Sequence, residues 1–148
     1  MSAAAGSLDW HGIVVGDALP ELVVPLTASV IVAGAIASRD FMPVHHDRAY
    51  ANAQGAPDIF MNILTTNGYV SRFITDWTGP DAQVTKISIR LGAPAIPGTT
   101  LRFTGEVART EREGDKGLVE VAMRGITEIG DHVTGTVELF LPVADRSD

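Results

Sequence analysis

The stretch Ile63-Leu64-Thr65-Thr66-Asn67-Gly68-Tyr69-Val70-Ser71-Arg72-Phe73-Ile74-Thr75-Asp76-Trp77-Thr78-Gly79-Pro80 decides the fold. Ile63, Val70, Phe73, Ile74 and Trp77, with Leu64 beside the first, recur at three-, four- and seven-residue spacings, so one apolar stripe runs along a helix of about four turns. Gly79-Pro80 stops it, because glycine leaves helical geometry readily and proline lacks the amide to continue. Gly68 and Tyr69 keep the remaining surface from being strongly polar, which predicts a helix largely embraced by other structure.

Beyond this stretch the period changes. Leu101, Phe103 and Val107 alternate with Arg102, Thr104 and Glu106, and Val133, Val137, Leu139 and Leu141 alternate with Thr134, Thr136 and Glu138. Val119, Val121 and Met123 share one face of Gly117 to Thr127, and Ile87, Ile89 and Leu91 share one face of Val84 to Leu91. Pro94 to Gly98, Glu111 to Gly117 and Gly130-Asp131 have loop chemistry. Four strands in series predict an antiparallel sheet. N-terminal to the helix, Leu19 to Leu26 reads as an edge strand, where Pro25 is tolerable, and Val30 to Ala37 as a short helix capped by Thr27 or Ser29. The expected architecture is α+β: a single domain over 1–148 with loose tails at 1–7 and 145–148. A long helix lies on a curved antiparallel sheet of about five strands, the hot-dog arrangement.

Composition narrows the chemistry. With 11 Lys+Arg against 18 Asp+Glu the 148-residue chain carries a formal charge of −7, which argues against non-specific nucleic-acid binding. The absence of cysteine removes disulfides, thiolate metal sites and cysteine nucleophiles, and fits a reducing cytoplasm. The N-terminus lacks a basic signal region, its first Lys or Arg being Arg39, and the uncharged run Leu22 to Ser38 is broken by Pro25, Thr27, Ser29 and Gly34, so neither secretion nor a membrane span is expected.

The densest ionisable group is Ser38-Arg39-Asp40-Phe41-Met42-Pro43-Val44-His45-His46-Asp47, between the two predicted helices. A carboxylate and an imidazole five positions apart around a proline turn can converge on one bound water, the requirement for general acid–base chemistry. Asp40 in isolation also suits a turn or helix C-cap. His46 reads as solvent-facing or interfacial rather than a metal ligand, since His45 and His46 point apart and His11 and His132 are distant in sequence.

Asp40-Phe41-Met42-Pro43-Val44-His45 resembles the hydratase signature of the MaoC-like enzymes, the R-specific enoyl-CoA hydratases and dehydratases, written Asp-x-Asn-Pro-(Ile/Leu/Val)-His. Asp47 also fits, as do Gly55 to Thr66, leading into that family's central helix, and Ser88 to Leu101, its strand-turn-strand segment. His45-His46-Asp47-Arg48 with Asp58 to Thr65 is most similar to the small subunit of the two-component enoyl-CoA hydratases of actinobacterial steroid side-chain degradation. The resemblance implies that Asp40 and His45 activate the water added across a trans-2-enoyl-CoA. It also implies that the backbone amide of Asn62 or Ile63 stabilises the thioester enolate, with no cofactor beyond the coenzyme A of the substrate. Arg72, Lys86 and Arg90 are candidates for the coenzyme A phosphates or, equally, surface ion-pair partners. Pairing with a second hot-dog chain is implied too, in a hetero-oligomer with a larger MaoC-domain chain or otherwise a homodimer.

Three positions depart from the family pattern: Met42 stands for Asn, Arg39 for a common Gly, and Met61-Asn62 for a frequent His-Gly. Met42 and Met61-Asn62 keep open a non-catalytic, acyl-CoA-binding subunit that completes a partner's site. An acyl-CoA thioesterase is a third reading.

Overall fold

A computed structural model describes residues 6–143. The elements run β1 (Leu22–Pro25), α1 (Ala28–Ala37), α2 (Arg48–Ala53), α3 (Ile63–Thr78), β2 (Gln83–Leu91), β3 (Thr100–Glu113), β4 (Lys116–Thr127) and β5 (Gly130–Pro142), with single 3₁₀ turns at Trp10–Gly12 and Pro43–His45. The strands form one antiparallel sheet in the order β1-β3-β4-β5-β2. β3, β4 and β5 are a meander, whereas the segment after β2 crosses to the far side, so β1 and β2 are the two edges. Pro25 therefore sits on an edge strand, where a missing amide costs no ladder bond. This is the hot-dog arrangement, α3 packed on the sheet.

α3 buries Val70, Phe73 and Ile74 against Phe103 and Leu101 of β3, Val119, Val121 and Met123 of β4, and Val137 and Leu139 of β5. The Phe73 and Phe103 rings stack at 5.9 Å. The ends of the expected stripe behave differently. Ile63 and Leu64 are about half exposed, and the fully buried positions are taken instead by Thr66 and Thr78. The first turn of α3 overhangs two hollows: Ile63 lines one and Leu64 the other. Thr78 is accommodated because its hydroxyl donates back to the Ile74 carbonyl.

Two boundaries move for a common reason. Glu111–Glu113 and Lys116–Gly117, expected as loop, continue the β3–β4 ladder, leaving Gly114-Asp115 as the turn; Gly130-Asp131 likewise begins β5. Charged side chains can point to water while the backbone beneath them stays paired. α2 is an addition: Asp47 caps it, its carboxylate accepting from the Tyr50 amide at 3.0 Å, but six residues are too few to display an apolar period. Residues 1–5 and 144–148, most of the expected tails, lie outside the described residues; Ser7 Oγ accepts from the Asp81 amide at 3.2 Å.

α1 begins at Ala28 with Thr27 as its cap, Oγ1 accepting from the Val30 amide at 3.1 Å. It packs closely on α3 because Gly34 has no Cβ to meet Thr65. Its C-terminus is a Schellman motif: the Asp40 amide donates to Ala35 at 2.9 Å and the Arg39 amide to Ile36 at 3.0 Å. That motif needs a left-handed residue, and Arg39 supplies it at φ 59°, which explains why glycine is common there.

Two substitutions should move stability oppositely in thermal unfolding. Arg39→Gly relieves the left-handed conformation and should add about 1 kcal/mol. Gly135→Ala drives a Cβ into the Ser88 carbonyl and Ile89 backbone across the β5–β2 ladder and should cost about 1–3 kcal/mol.

Candidate active site

The Schellman motif delivers Asp40 to a fixed place, and the following turn brings His45 back to it. Met42 caps the 3₁₀ turn with Pro43 at its first position, where the absent amide is harmless, and the His45 amide donates to the Met42 carbonyl at 3.1 Å. The His45 side chain is buried, 6% exposed, and packs edge-on against Phe60 at 5.1 Å. Its Nδ1 lies 2.6 Å from the Phe60 carbonyl oxygen. A carbonyl only accepts, so Nδ1 carries hydrogen and Nε2 is the working nitrogen. Nε2 lies 3.2 Å from Asp40 Oδ2.

Asp40 divides its two oxygens. Oδ1 accepts from the Met42 amide at 3.3 Å, the turn-forming role that the residue type suggests on its own. Oδ2 faces His45 and also accepts from Asn62 Nδ2 at 3.0 Å. The Asn62 bond, then the Met42 amide, with a smaller contribution from the His45 charge, outweigh partial burial and hold the Asp40 carboxyl below its usual range.

Asn62 is 2% exposed and uses both ends of its amide. Oδ1 accepts from the Thr65 amide at 3.0 Å, making Asn62 the N-cap of α3, while Nδ2 also donates to Ser38 Oγ at 2.8 Å. Ser38 Oγ in turn donates to the Gly34 carbonyl at 2.7 Å. One side chain thus joins the end of α1, the Asp40 carboxylate and the start of α3. The amides at the first positions of α3 lack intrahelical acceptors, and Ile63 lines the same cavity as Asp40 and His45.

That cavity, about 310 Å³, lies between the Asp40–His45 pair, Phe60–Ile63 and Leu91–Pro94. Arg48 and Asp58, paired at 2.9 Å, brace the segment between His45 and α3. His132, set aside in sequence as remote, also lines the cavity and is 2% exposed. No local pattern marks it, because β5 carries an irregularity here: Gly125 pairs with Val133 and Ile126 with Asp131, leaving His132 as the extra residue of a bulge. His46 is exposed, and among the described residues no three His, Asp or Glu side chains form a metal-binding group.

The basic candidates lie elsewhere. Arg72 pairs with Asp76 at 3.3 Å and lines a separate apolar groove between α1 and α3; Arg90 lines a hollow along β2 beside Asn67, and Lys86 is exposed on β2. None of the three lines the Asp40–His45 cavity.

Comparison with known proteins identifies the family. The family model for the MaoC like domain matches residues 16–129. The chain is 49% identical over 128 residues to the 3-oxo-4,17-pregnadiene-20-carboxyl-CoA hydratase beta subunit of Mycobacterium tuberculosis, covering 86% of this chain and 96% of that protein. A chain in the crystal structure of the ChsH1-ChsH2 complex from the same organism matches with TM-score 0.81 and 48% identity, over 86% of this chain and 98% of that one. The unliganded R-hydratase PhaJ1 of Pseudomonas aeruginosa shares the fold, at TM-score 0.81 and 21% identity over 96% and 93% of the two chains. On the extent of the family match and the near-half identity to a hydratase subunit, the chain belongs to the MaoC-like domain family.

Proposed function

We propose that this chain is a catalytic enoyl-CoA hydratase subunit, adding water to the 2,3-double bond of a trans-2-enoyl-CoA, including steroid side-chain thioesters such as the named relative's substrate class. The observation that carries the reading is the approach of Asp40 Oδ2 to His45 Nε2 at 3.2 Å on the wall of a cavity shared with the start of α3. Nδ1 is committed to the Phe60 carbonyl, so Nε2, 3.2 Å from Asp40 Oδ2, is the ring atom left to exchange a proton in the cavity. A water bound beside the pair can hydrogen-bond to both groups. Its oxygen bonds to Cβ of the enoyl group; one of the pair takes the released proton and a proton is delivered to Cα, so H and OH both come from water. As Cβ is attacked, charge develops on the thioester oxygen, and the free amide of Ile63 or Asn62 at the N-terminus of α3 is the donor proposed for it. No redox or metal step enters, and coenzyme A arrives with the substrate.

The non-catalytic reading rested on Met42 and Met61-Asn62. The amide that the family signature places at position 42 has a substitute here, since Asn62 Nδ2 reaches Asp40 from the other side. Met61 is buried, 2% exposed, and belongs to the core cluster while also lining the cavity. The Asn62 bond favours a working site over a degenerate one.

A second chain belongs to this reading. α1 is apolar on every side, yet buries only Ile31 and Ala35. Ile36, Phe41, Met42, Ile63 and Leu64 are 48–66% exposed around the site. An apolar rim of this kind marks an interaction surface. We assign it to a second hot-dog chain, a larger MaoC-domain partner or a second copy, working in the cytoplasm.

Loss of the conjugated enoyl-thioester absorbance upon incubation with short, long and steroidal enoyl-CoAs, alone and with candidate partner chains, tests the reaction directly. Asp40→Asn and His45→Ala should each lower kcat about a thousandfold or more with the fold intact; near-normal rates in either would contradict the assignment. Thiol release from saturated acyl-CoA would point to a thioesterase instead.

Asn62→Ser keeps a good N-cap but loses the donor to Asp40. The depressed Asp40 carboxyl is ionised in the wild type until the pH falls through its lowered value, and any stability from that depression is lost over the same fall. In Asn62→Ser the carboxyl should titrate higher, moving the acid limb of kcat/KM to higher pH; an unmoved limb would mean that Asn62 does not set the ionisation of Asp40.

Light scattering should find the chain associated with itself or, when co-purified from its native host, with a second hot-dog chain. A stable monomer with full activity would refute the assigned interface.

A further inference from the structure

The bulge at the start of β5 turns His132 inward onto the cavity that Asp40 and His45 also line. Bulges re-aim side chains in this way beside active sites. Its ring touches both flanking walls: Nδ1 lies 2.8 Å from the Ala93 carbonyl oxygen and Nε2 lies 2.9 Å from Oγ1 of Thr66, which is fully buried on α3. The carbonyl fixes the hydrogen on Nδ1. Burial holds the ring below the usual histidine range, so Nε2 is bare and accepts the Thr66 hydroxyl. That hydroxyl also lies 3.3 Å from the Asn62 carbonyl. It has one proton, and a charged His132 would force the hydroxyl to turn from the ring to Asn62. Asp40 and His45 are the other titratable groups lining the cavity; the adjacent Asp131 is engaged by Arg124 at 2.5 Å.

Nothing in the proposed addition of water uses His132, yet it spans two of the surfaces between which an acyl thioester would lie. The Ala93 wall is tied to the same bulge twice more, Ala93 N–H donating to Asp131 at 2.7 Å and Gly92 N–H to His132 at 2.8 Å. On the other side Thr66 stands one turn after Asn62, the residue that holds Asp40.

We propose that His132 and Thr66 are positioning residues: a neutral strut between the Leu91–Pro94 wall and the first turns of α3 that sets the gap in which substrate meets Asp40 and His45. The role in turnover rests on the hydratase reading; the strut itself does not.

The test uses the full chain, with its partner if one is required. Ring-nitrogen NMR should find His132 neutral at neutral pH, with hydrogen on Nδ1, and titrating only below the ordinary histidine range. Thr66→Val keeps the side-chain shape and removes the hydroxyl. It should speed amide exchange at Ala93 about tenfold and lower kcat about tenfold, with KM within about threefold, while Thr66→Ser restores kcat. His132→Gln, which can still donate to one wall and accept from the other, should retain about tenfold more activity than His132→Ala. A purely structural role would lower Tm and leave kcat and the serine rescue unaffected. A ring that titrates ordinarily or carries its hydrogen on Nε2, or a Thr66→Val protein with wild-type exchange at Ala93 and wild-type kcat, would overturn the proposal. If the wild type hydrates no enoyl-CoA, the hydratase reading fails, and the ring spectrum and Ala93 exchange still decide the strut.

Discussion

The two hydrogen-bonding ends of the Asn62 side chain hold together the end of α1, the Asp40 loop and the start of α3. Its oxygen caps α3 and its nitrogen binds Ser38 at the end of α1 and Asp40 in the following loop. A cap alone is worth about 1 kcal/mol, and a buried amide left unpaired costs about 1–3 kcal/mol, so the residue is stable only if all three partners stay in place. That condition ties the chemistry to the fold: the helix cannot shift along the sheet without carrying Asp40 with it. Because Asn62 is also the largest cause of the lowered Asp40 carboxyl, the same bonds set where a carboxylate sits and whether it is charged.

The sheet supplies space where the helix supplies position. Phe73 reaches over β3 because Gly105 has no Cβ in its way, and Phe103 and Leu101 occupy the room above Gly125. These two glycines let aromatic rings enter the concave face. At its end, where the β4–β5 register shifts, the bulge turns His132 onto the cavity. The cavity is therefore bounded by regular structure on the α3 side and by an irregular strand end on the other.

What could be read from the residues alone follows from periodicity. α3 and the antiparallel meander are legible because each is written in spacings of 3.6 or 2 residues, and the edge position of β1 is legible because Pro25 has no amide for a ladder. The Asp40–His45 convergence was legible as a motif, and the 3.2 Å approach is what the proline turn makes of it. Asn62 sits at the helix start that the sequence predicts, but its side-chain bond to Asp40 spans 22 residues and has no spacing rule. His132 was invisible for a sharper reason. Its inward direction comes from a bulge, and a bulge breaks the very alternation used to read strands. Ile63 and Leu64 misled in the opposite sense, since their spacing is that of core residues and the hollows beside them are tertiary features.

Charge bears on the partner. On the proposed reading, an acidic chain, formally −7, receives an anionic thioester and needs positive surface near the cavity mouth. Arg48, Arg72, Arg102, Arg109 and Arg124 each face a carboxylate of the same chain within 4.0 Å, and among the described residues no arginine or lysine lines the Asp40–His45 cavity. Arg39, beside Asp40, and Lys86 and Arg90, on the β2 edge, are exposed. An edge strand is where another sheet can be added, so a chain docking along β2 would meet Lys86 and Arg90 as well as bring its own charges. The apolar rim around α1 and this basic edge make the same demand from different physics: the first needs cover from water, and the second gathers enough positive charge for a phosphate only in company. On the proposed reading, association completes the binding surface, while the Asp40–His45 chemistry stays within one chain.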